Sequence, residues 1–186
     1  DVSLDPELLG KVFENLLASY NPETQQTARK QTGSFYTPRE IVQYMVDESL
    51  VTHLKRTVGN ELESEYRKLL DYADNEILLT EQQKLAIMQS LYNCKILDPA
   101  CGSGAFPVGV LQQMVHILKQ IDPDNSRWKN MLLQFAIDET SEAYLNSTAE
   151  ERREAVADIE RAFDENVNYP DYARKLHLIE NCIYGV

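Results

Sequence analysis

The segment from Asp98 to Phe106 constrains the fold of this chain most, because it combines a strand end, a tight turn and a helix start. An apolar run over residues 94–97 leads into Asp98-Pro99, and the chain continues Ala-Cys-Gly-Ser-Gly-Ala-Phe. Short apolar runs bounded by turn signals are consistent with buried parallel strands. Gly102 and Gly104 allow backbone conformations and close approaches that a Cβ would block. The pattern therefore predicts a strand–turn–helix unit of an open α/β sheet, in which ligands bind beyond the carboxyl ends of the strands.

The residues of this turn leave three interpretations open. A dinucleotide site expects G-x-G-x-x-G, but Pro107 stands where the third glycine belongs, and Asp98 would repel a pyrophosphate. An acidic residue before the glycines instead suits a ligand with an ammonium group, such as S-adenosylmethionine. The third interpretation is a tight structural turn that binds no ligand.

Composition and charge exclude several classes of protein. The chain has 186 residues, of which 43% are hydrophobic and 26% charged, as expected for one soluble domain with a core of its own. No apolar run approaches the ~18 residues of a membrane span, and the first residues lack the pattern of a signal peptide. With 18 Lys and Arg against 30 Asp and Glu, the net charge is −12. This excess of acid argues against a chain that grips a nucleic-acid backbone alone.

The three cysteines, Cys94, Cys101 and Cys182, indicate a reduced protein. Their number is odd, and their spacing matches no metal-binding motif. We therefore expect a cytoplasmic protein with no structural disulfide and no bound metal.

Periodicity predicts a chain of successive helices interrupted by the strand at residues 94–98. Helices are expected at about 6–17, 38–50, within 60–79, and at 81–92, 106–120, 128–137, 149–165 and 171–180, with a polar loop at 20–34. Capping boxes are expected at Thr37 with Glu40 and at Thr80 with Gln83. The apolar surface of the helix after the glycines is wide enough to pack on a sheet. Residues 182–186 are predicted to form a second strand, parallel to the first across a long helical crossover.

Two segments together resemble the adenine-N6 DNA methyltransferases of restriction–modification systems. Asp98 to Phe106 resembles their first cofactor motif, and Gly33-Ser34-Phe35-Tyr36-Thr37-Pro38 resembles the motif that closes over the methionine end of the cofactor. The order of the two motifs fits the gamma class. The similarity is greatest to proteins that fuse methyltransferase and restriction functions, and type I modification subunits are more distant. Residues 5–17, 32–50 and 180–186 also resemble this group.

The resemblance implies a Rossmann-like S-adenosylmethionine-dependent methyltransferase sheet, of which this helix-rich chain holds the first strands. Residues 1–32 would form a helical lead-in and loop, and residues 33–186 the first part of the methyltransferase domain. The residues it implies for cofactor binding are Phe35, Tyr36, Thr37, Pro38, Asp98, Ala100, Cys101, Gly102, Ser103 and Gly104. Thr37 and the amides of its helix would bind the methionine carboxylate, and Asp98 with the backbone near Ala100 would face the ammonium group.

Features that are missing from the chain limit what it can do. The family's catalytic motif, Asn- or Asp-Pro-Pro-aromatic, holds the flipped adenine, but no two of the seven prolines are adjacent here. The acidic residue that binds the cofactor ribose in related enzymes would follow Val186, and the target-recognition region is absent. We therefore expect a parent enzyme that methylates adenine N6 in a specific DNA sequence, and a fragment that is inactive alone. DNA would be bound by parts of the parent outside this chain.

Two other kinds of function are weighed against this one. A helical interaction module would use the glycine turn only structurally, and a methyltransferase of the same type could act on RNA or protein. An exposed sheet edge is also expected to favour self-association of the fragment.

Overall fold

The computed structural model describes residue 12, residues 20–21 and 26–27, and residues 37–142, 149–164 and 167–186. Within the predicted loop, β1 (Tyr20–Asn21) and β2 (Gln26–Thr27) form a short antiparallel ladder in which Tyr20 lies opposite Thr27. The first predicted helix lies outside the described residues except for Val12, which is helical. Phe35 and Tyr36 also lie outside them.

Helices make up most of the described chain. They are α1 (Arg39–Thr57), α2 (Glu63–Leu70), α3 (Glu81–Tyr92), α4 (Ala105–Ile121), α5 (Ser126–Glu142), α6 (Ala149–Ala162) and α7 (Tyr172–Asn181), with a short 3₁₀ turn at Asn60–Leu62. Two further strands, β3 (Ile96–Asp98) and β4 (Ile183–Gly185), follow α3 and α7. None of the helices in the described ranges is long and apolar enough to cross a bilayer.

The core is built around α4, which contacts α1, α2, α3 and α7. Its inward side chains are fully or almost fully buried, as are the facing side chains of the neighbouring helices. The wide apolar surface of α4 was expected to pack on a sheet, but β4 is only one of its neighbours and the others are helices. The helix is apolar over a wide arc because helices surround it on several sides.

The sequence predicts one long helical region within residues 60–79, and the structure shortens it to α2. After Leu70 the side chain of Asp71 accepts a hydrogen bond from the amide of Ala73 (3.1 Å), which turns the chain away from the helix. Three side chains of α4 donate hydrogen bonds to the carbonyl groups at this helix end: Gln120 to Leu69, Gln113 to Leu70 and His116 to Asp71, each at 3.0 Å. The end of α2 is thus satisfied by a neighbouring helix.

Of the two predicted capping boxes, one forms and the other does not. Thr80 and Gln83 form theirs, with both the side-chain and the backbone hydrogen bonds present. At the other, Pro38 occupies the N-cap position with an extended ψ of 147°, and α1 begins at Arg39. Glu40 is therefore one residue too close to the cap to reach back, and no side chain caps α1. The prediction of Thr37 as the N-cap is wrong by one residue.

β3 and β4 pair in parallel, with Ile96 opposite Ile183, Leu97 opposite Tyr184 and Asp98 opposite Gly185. This confirms the predicted pair of parallel strands joined by a helical crossover. The prediction of a buried strand is wrong for one of its two faces, because Leu97 is 62% exposed and Tyr184 is 44% exposed. Helix α4 contacts the sheet at β4, and α7 leads into that strand. Within the described residues the sheet has two strands, which show part of an α/β arrangement rather than a Rossmann-like sheet.

Candidate functional site: a glycine turn between strand and helix

The turn between β3 and α4 is closed by its own hydrogen bonds. The amide of Ala100 donates to Oδ1 of Asp98 (3.0 Å), and the amide of Gly104 donates to the carbonyl of Cys101 (2.7 Å). The first bond fixes the Asp98 carboxylate at the end of the strand and leaves its other oxygen, Oδ2, out of that contact. It also engages the amide of Ala100, within the stretch of backbone that the resemblance places beside the ammonium group.

Both glycines of the turn adopt conformations that require glycine. Gly102 has φ of +51° and Gly104 has φ of +83°, in the left-handed region that side chains rarely enter. Gly104 is the N-cap of α4 and supplies no side-chain cap, so the amides of the first turn stay available. A Cβ built on Gly104 would meet no other atom within 4 Å. The outer side of the turn is therefore open space beside a helix N-terminus.

Helix α1 runs alongside α4 in the same general direction. A Cβ on Gly109 would lie 3.4 Å from Cγ1 of Val42 and 3.5 Å from Cγ2 of Val46, so the two helices are in close contact there. One turn further along α4, Nε2 of Gln113 donates to Oδ1 of Asp47 (2.7 Å). Because the contacts advance in the same order along both helices, the two N-termini lie at the same end of the pair.

The described residues of the predicted site fall in two groups. Thr37 and Pro38 precede α1, and both are exposed at the end where α4 also begins. The residues predicted from the glycine motif, from Asp98 through Ala100, Cys101, Gly102, Ser103 and Gly104, form the second group. The first turn of each of the two helices carries a positive dipole end, and Asp98 lies at the end of β3 in the second group.

The three cysteines have different surroundings. Cys94 and Cys182 are buried, and burial raises the pKa of the Cys94 thiol to about 11 and also raises that of Cys182. Cys101 lies in the turn and is only partly buried. All three are free thiols, and the buried pair is held in its unreactive form.

Sequence reasoning assigned no role to Gly185 and passed over Gly109. Gly185 lies against the side chain of Cys101 at the end of β4, and Gly109 lies at the contact between α1 and α4. The signal for Gly109 was available, since a glycine inside a strongly apolar helix marks a close helix contact. Gly185 carried no such local signal, because its neighbour in space is 84 positions away in the sequence (185 − 101).

Comparison with known proteins gives two matches. The family model described as "N-6 DNA Methylase" matches residues 4–60, which include all of α1 and the segment before it. A protein of Methanocaldococcus jannaschii, whose name describes a type II restriction enzyme and methyltransferase, is 29% identical over 133 residues. The matched region covers 65% of this chain and 11% of that protein, so this chain corresponds to a small part of it. No solved structure matches the chain.

The family match at residues 4–60 includes the first of the two motifs, Gly33 to Pro38. The two matches confirm the resemblance of this chain to the N6 DNA methyltransferases of restriction–modification systems.

Proposed function

We propose that this chain carries the S-adenosylmethionine site of a DNA methyltransferase that modifies adenine N6 in a specific DNA sequence. The observation that carries the proposal is the glycine turn, which lies between the end of β3 and α4 at the end where α1 also begins. On this proposal residues 33–186 are the first part of the methyltransferase domain and residues 1–32 are a lead-in.

The residues of the turn fit such a cofactor. Gly104 leaves a space that any side chain would occupy, and the backbone there can approach a ligand closely. Oδ2 of Asp98 can accept a hydrogen bond from an ammonium group, since only Oδ1 is engaged by Ala100. The N-terminus of α1, beside Thr37 and Pro38, suits a carboxylate. The cofactor would supply an activated methyl group, and these residues would orient it.

The chain is proposed to be inactive alone. It holds no pair of adjacent prolines and hence no Asn- or Asp-Pro-Pro-aromatic motif to hold an extruded adenine. Its net charge of −12 also makes it a poor partner for DNA phosphates. Other parts of a parent enzyme in the cytoplasm would supply both functions. Incubation with labelled S-adenosylmethionine and adenine-containing duplexes is expected to transfer no label.

The experiment that tests the cofactor site is calorimetric titration of S-adenosylmethionine into the chain, with NAD as the comparison ligand. We expect saturable binding with Kd near 100 μM, roughly −5.5 kcal/mol, and no binding of NAD. Gly104→Val should abolish it, because valine disfavours φ of +83° and fills the space beside the turn. Gly109→Ala serves as the matched control, because the added Cβ would lie at ordinary contact distances from the side chains of α1.

Either of two results would contradict the proposal. If the folded chain binds NAD as well as S-adenosylmethionine, the turn is a general nucleotide site. If it binds neither, and Gly104→Val is less stable than the parent sequence, the glycine is kept for the structure of the turn and the helical interaction module becomes the better interpretation.

The exposed sheet is proposed to drive self-association. In the described part of the chain, neither outer edge of the β3–β4 pair is covered by another strand. Unpaired strand edges favour pairing with another chain. Light scattering at rising concentration is expected to show dimers or larger species, and a monomer at all concentrations would contradict this.

A further inference from the structure

The glycine turn is tied to the end of β4 by two backbone hydrogen bonds that extend beyond the strand pair. The amide of Val186 donates to the carbonyl of Asp98 (3.1 Å), and the amide of Cys101 donates to the carbonyl of Val186 (3.3 Å). The first residues of the turn thus continue the pairing of β3 with β4. The path of the turn depends on how closely β4 can approach it.

A close contact between Gly185 and Cys101 sets that approach. A Cβ built on Gly185 would lie 3.1 Å from Sγ and 3.2 Å from Cβ of Cys101, shorter than the ~3.5–4.0 Å of an ordinary carbon contact. Gly185 is not among the glycines with positive φ, so its backbone conformation is open to other residues. Glycine is required at this position for space alone.

The two sides of the turn therefore differ. On the outer side, Gly104 has no atom within 4 Å of its would-be Cβ, and Gly102 has only the carbonyl oxygen of Ala100 at 3.9 Å. On the inner side, Cys101 fills the space against Gly185. Because no free space remains between Cys101 and Gly185, a larger group at either position must push the turn outward, into the space on its open side.

We propose that Gly185 is a positioning residue for the cofactor turn. It has no side chain, and this lets Cys101 pack against β4 so that the turn holds the conformation in which its open side faces a ligand. The inference rests on the proposed function for the identity of the ligand, whereas the effect on the turn itself is independent of any ligand. A Cβ at Gly185 would displace Cys101 and lengthen its 3.3 Å hydrogen bond to Val186.

The test uses the variant Gly185→Ala. Amide hydrogen exchange over residues 100–105 is measured without ligand, and the Kd for S-adenosylmethionine is measured separately. Exchange at the Cys101 and Gly104 amides is expected to rise at least about tenfold, because both amides donate within this arrangement. The Kd is expected to weaken by about tenfold, or ~1.4 kcal/mol. Exchange in the middle of α1 is expected to stay unchanged, since its contacts with α4 at Gly109 and Gln113 lie beyond the turn.

Matched variants separate this steric effect from a general loss of stability. Gly109→Ala makes the same chemical change at a position where the added Cβ meets only ordinary contacts, and it should leave exchange in the turn unchanged. Cys101→Ala combined with Gly185→Ala removes the 3.1 Å contact with sulfur and should recover part of the loss. Cys101→Val enlarges the same contact from the side of the turn and should reproduce the increased exchange.

The outcomes distinguish the two proposals. Unchanged exchange over the turn in both Gly185→Ala and Cys101→Val would overturn the positioning role. Increased exchange with recovery in the double variant, but no S-adenosylmethionine binding by the parent sequence, would support the positioning role and refute the proposed cofactor. Increased exchange with an unchanged Kd would overturn the link between the contact and the ligand.

Discussion

The helical core and the β3–β4 sheet differ in how completely they cover their apolar side chains. Leu50 and Leu118 in the core are 2% and 0% exposed, whereas Leu97 in β3 is 62% exposed and Val186 after β4 is 83% exposed. The core is closed by helices on several sides. In the described residues the sheet has one face packed on the helices and another that carries exposed Leu97 and Tyr184.

Because of this difference, the residues that stabilise the fold and the residues of the candidate site lie in different regions. Most of the buried apolar surface, and hence most of the hydrophobic stabilisation, lies among the helices. The glycine turn lies at the carboxyl end of β3, where few side chains are fully buried. A change in the turn can therefore alter ligand binding without unfolding the core, and a core substitution should destabilise both regions together.

A large effect is expected at Asp122, which connects the two regions. Its carboxylate accepts hydrogen bonds from the amides of Arg127 (3.2 Å) and Trp128 (3.0 Å) at the start of α5. It also pairs with Arg174 of α7, the helix that leads into β4, and both side chains are 1% exposed. Asp122→Ala should lower the free energy of unfolding by ~3 kcal/mol, because it removes the closer of the two carboxylates that pair with a buried guanidinium and leaves Asp171 at 3.7 Å. Urea denaturation measures this.

A surface ion pair on the same helices provides the control. Nζ of Lys119 lies 2.6 Å from Asp171, but the lysine side chain is 54% exposed. Lys119→Ala should cost less than ~1 kcal/mol. If Asp122→Ala costs as little as Lys119→Ala, the buried pair does not hold α7 and β4 to the core.

The second prediction compares the same substitution in the two regions. Leu118→Ala in α4 removes a fully buried side chain and should cost ~2–5 kcal/mol, including the cavity that it leaves. Leu97→Ala in β3 removes a largely exposed side chain and should cost ~0.5 kcal/mol or less. Both are measured by denaturant titration. Equal losses would show that another surface covers Leu97 in solution, as self-association would.

Much of the helical framework could be predicted from the sequence because it depends on interactions between residues that are close in sequence. The capping box at Thr80 and Gln83, and the apolar periodicity of α4, depend on residues within a few turns of each other. The end of α2 could not be predicted in this way. It depends on Gln113, His116 and Gln120 of α4, which are 43 to 51 positions away from the carbonyl groups that they bind.

The candidate site divides in the same way. The strand, the two glycines and the start of α4 follow from one short motif, and the structure places them as a single turn. The burial of β3 was overestimated, because an apolar run indicates what a strand can cover and not whether a partner is present. The contact between Gly185 and Cys101 depends on the pairing of β3 with β4, which no local pattern specifies at the level of single atoms.

The third prediction concerns pH and tests the core where α3, α5 and α7 meet. The ring of His177 stacks on Tyr92 with centroids 4.3 Å apart, and burial lowers the pKa of this histidine, with a smaller contribution from Lys95. The unfolded chain therefore binds a proton at higher pH than the folded chain does. The free energy of unfolding should fall as pH drops below about 6.5, by at most ~1.4 kcal/mol per pH unit, until the folded histidine is also protonated.

His177→Phe isolates this contribution, because phenylalanine keeps a ring against Tyr92 and cannot take up a proton. Denaturation between about pH 7.5 and about pH 5.5 should show a smaller loss of stability in the variant than in the parent sequence. The same loss in both would assign the pH dependence to other groups, and His177 would then have no part in it.

The smallest effect is expected at Gly109. It tests the difference between a glycine that allows two helices to pack and one, Gly185, that positions the site. The Cβ of Gly109→Ala would meet Val42 and Val46 at 3.4 and 3.5 Å, ordinary contact distances, and alanine is the better helix former. The free energy of unfolding should therefore rise by ~0.5–1 kcal/mol. A loss instead would mean that α1 and α4 cannot separate by even a few tenths of an ångström. The packing of the two helix N-termini beside the turn would then be as tight as the contact between Gly185 and Cys101, and the site would be built on two such constraints.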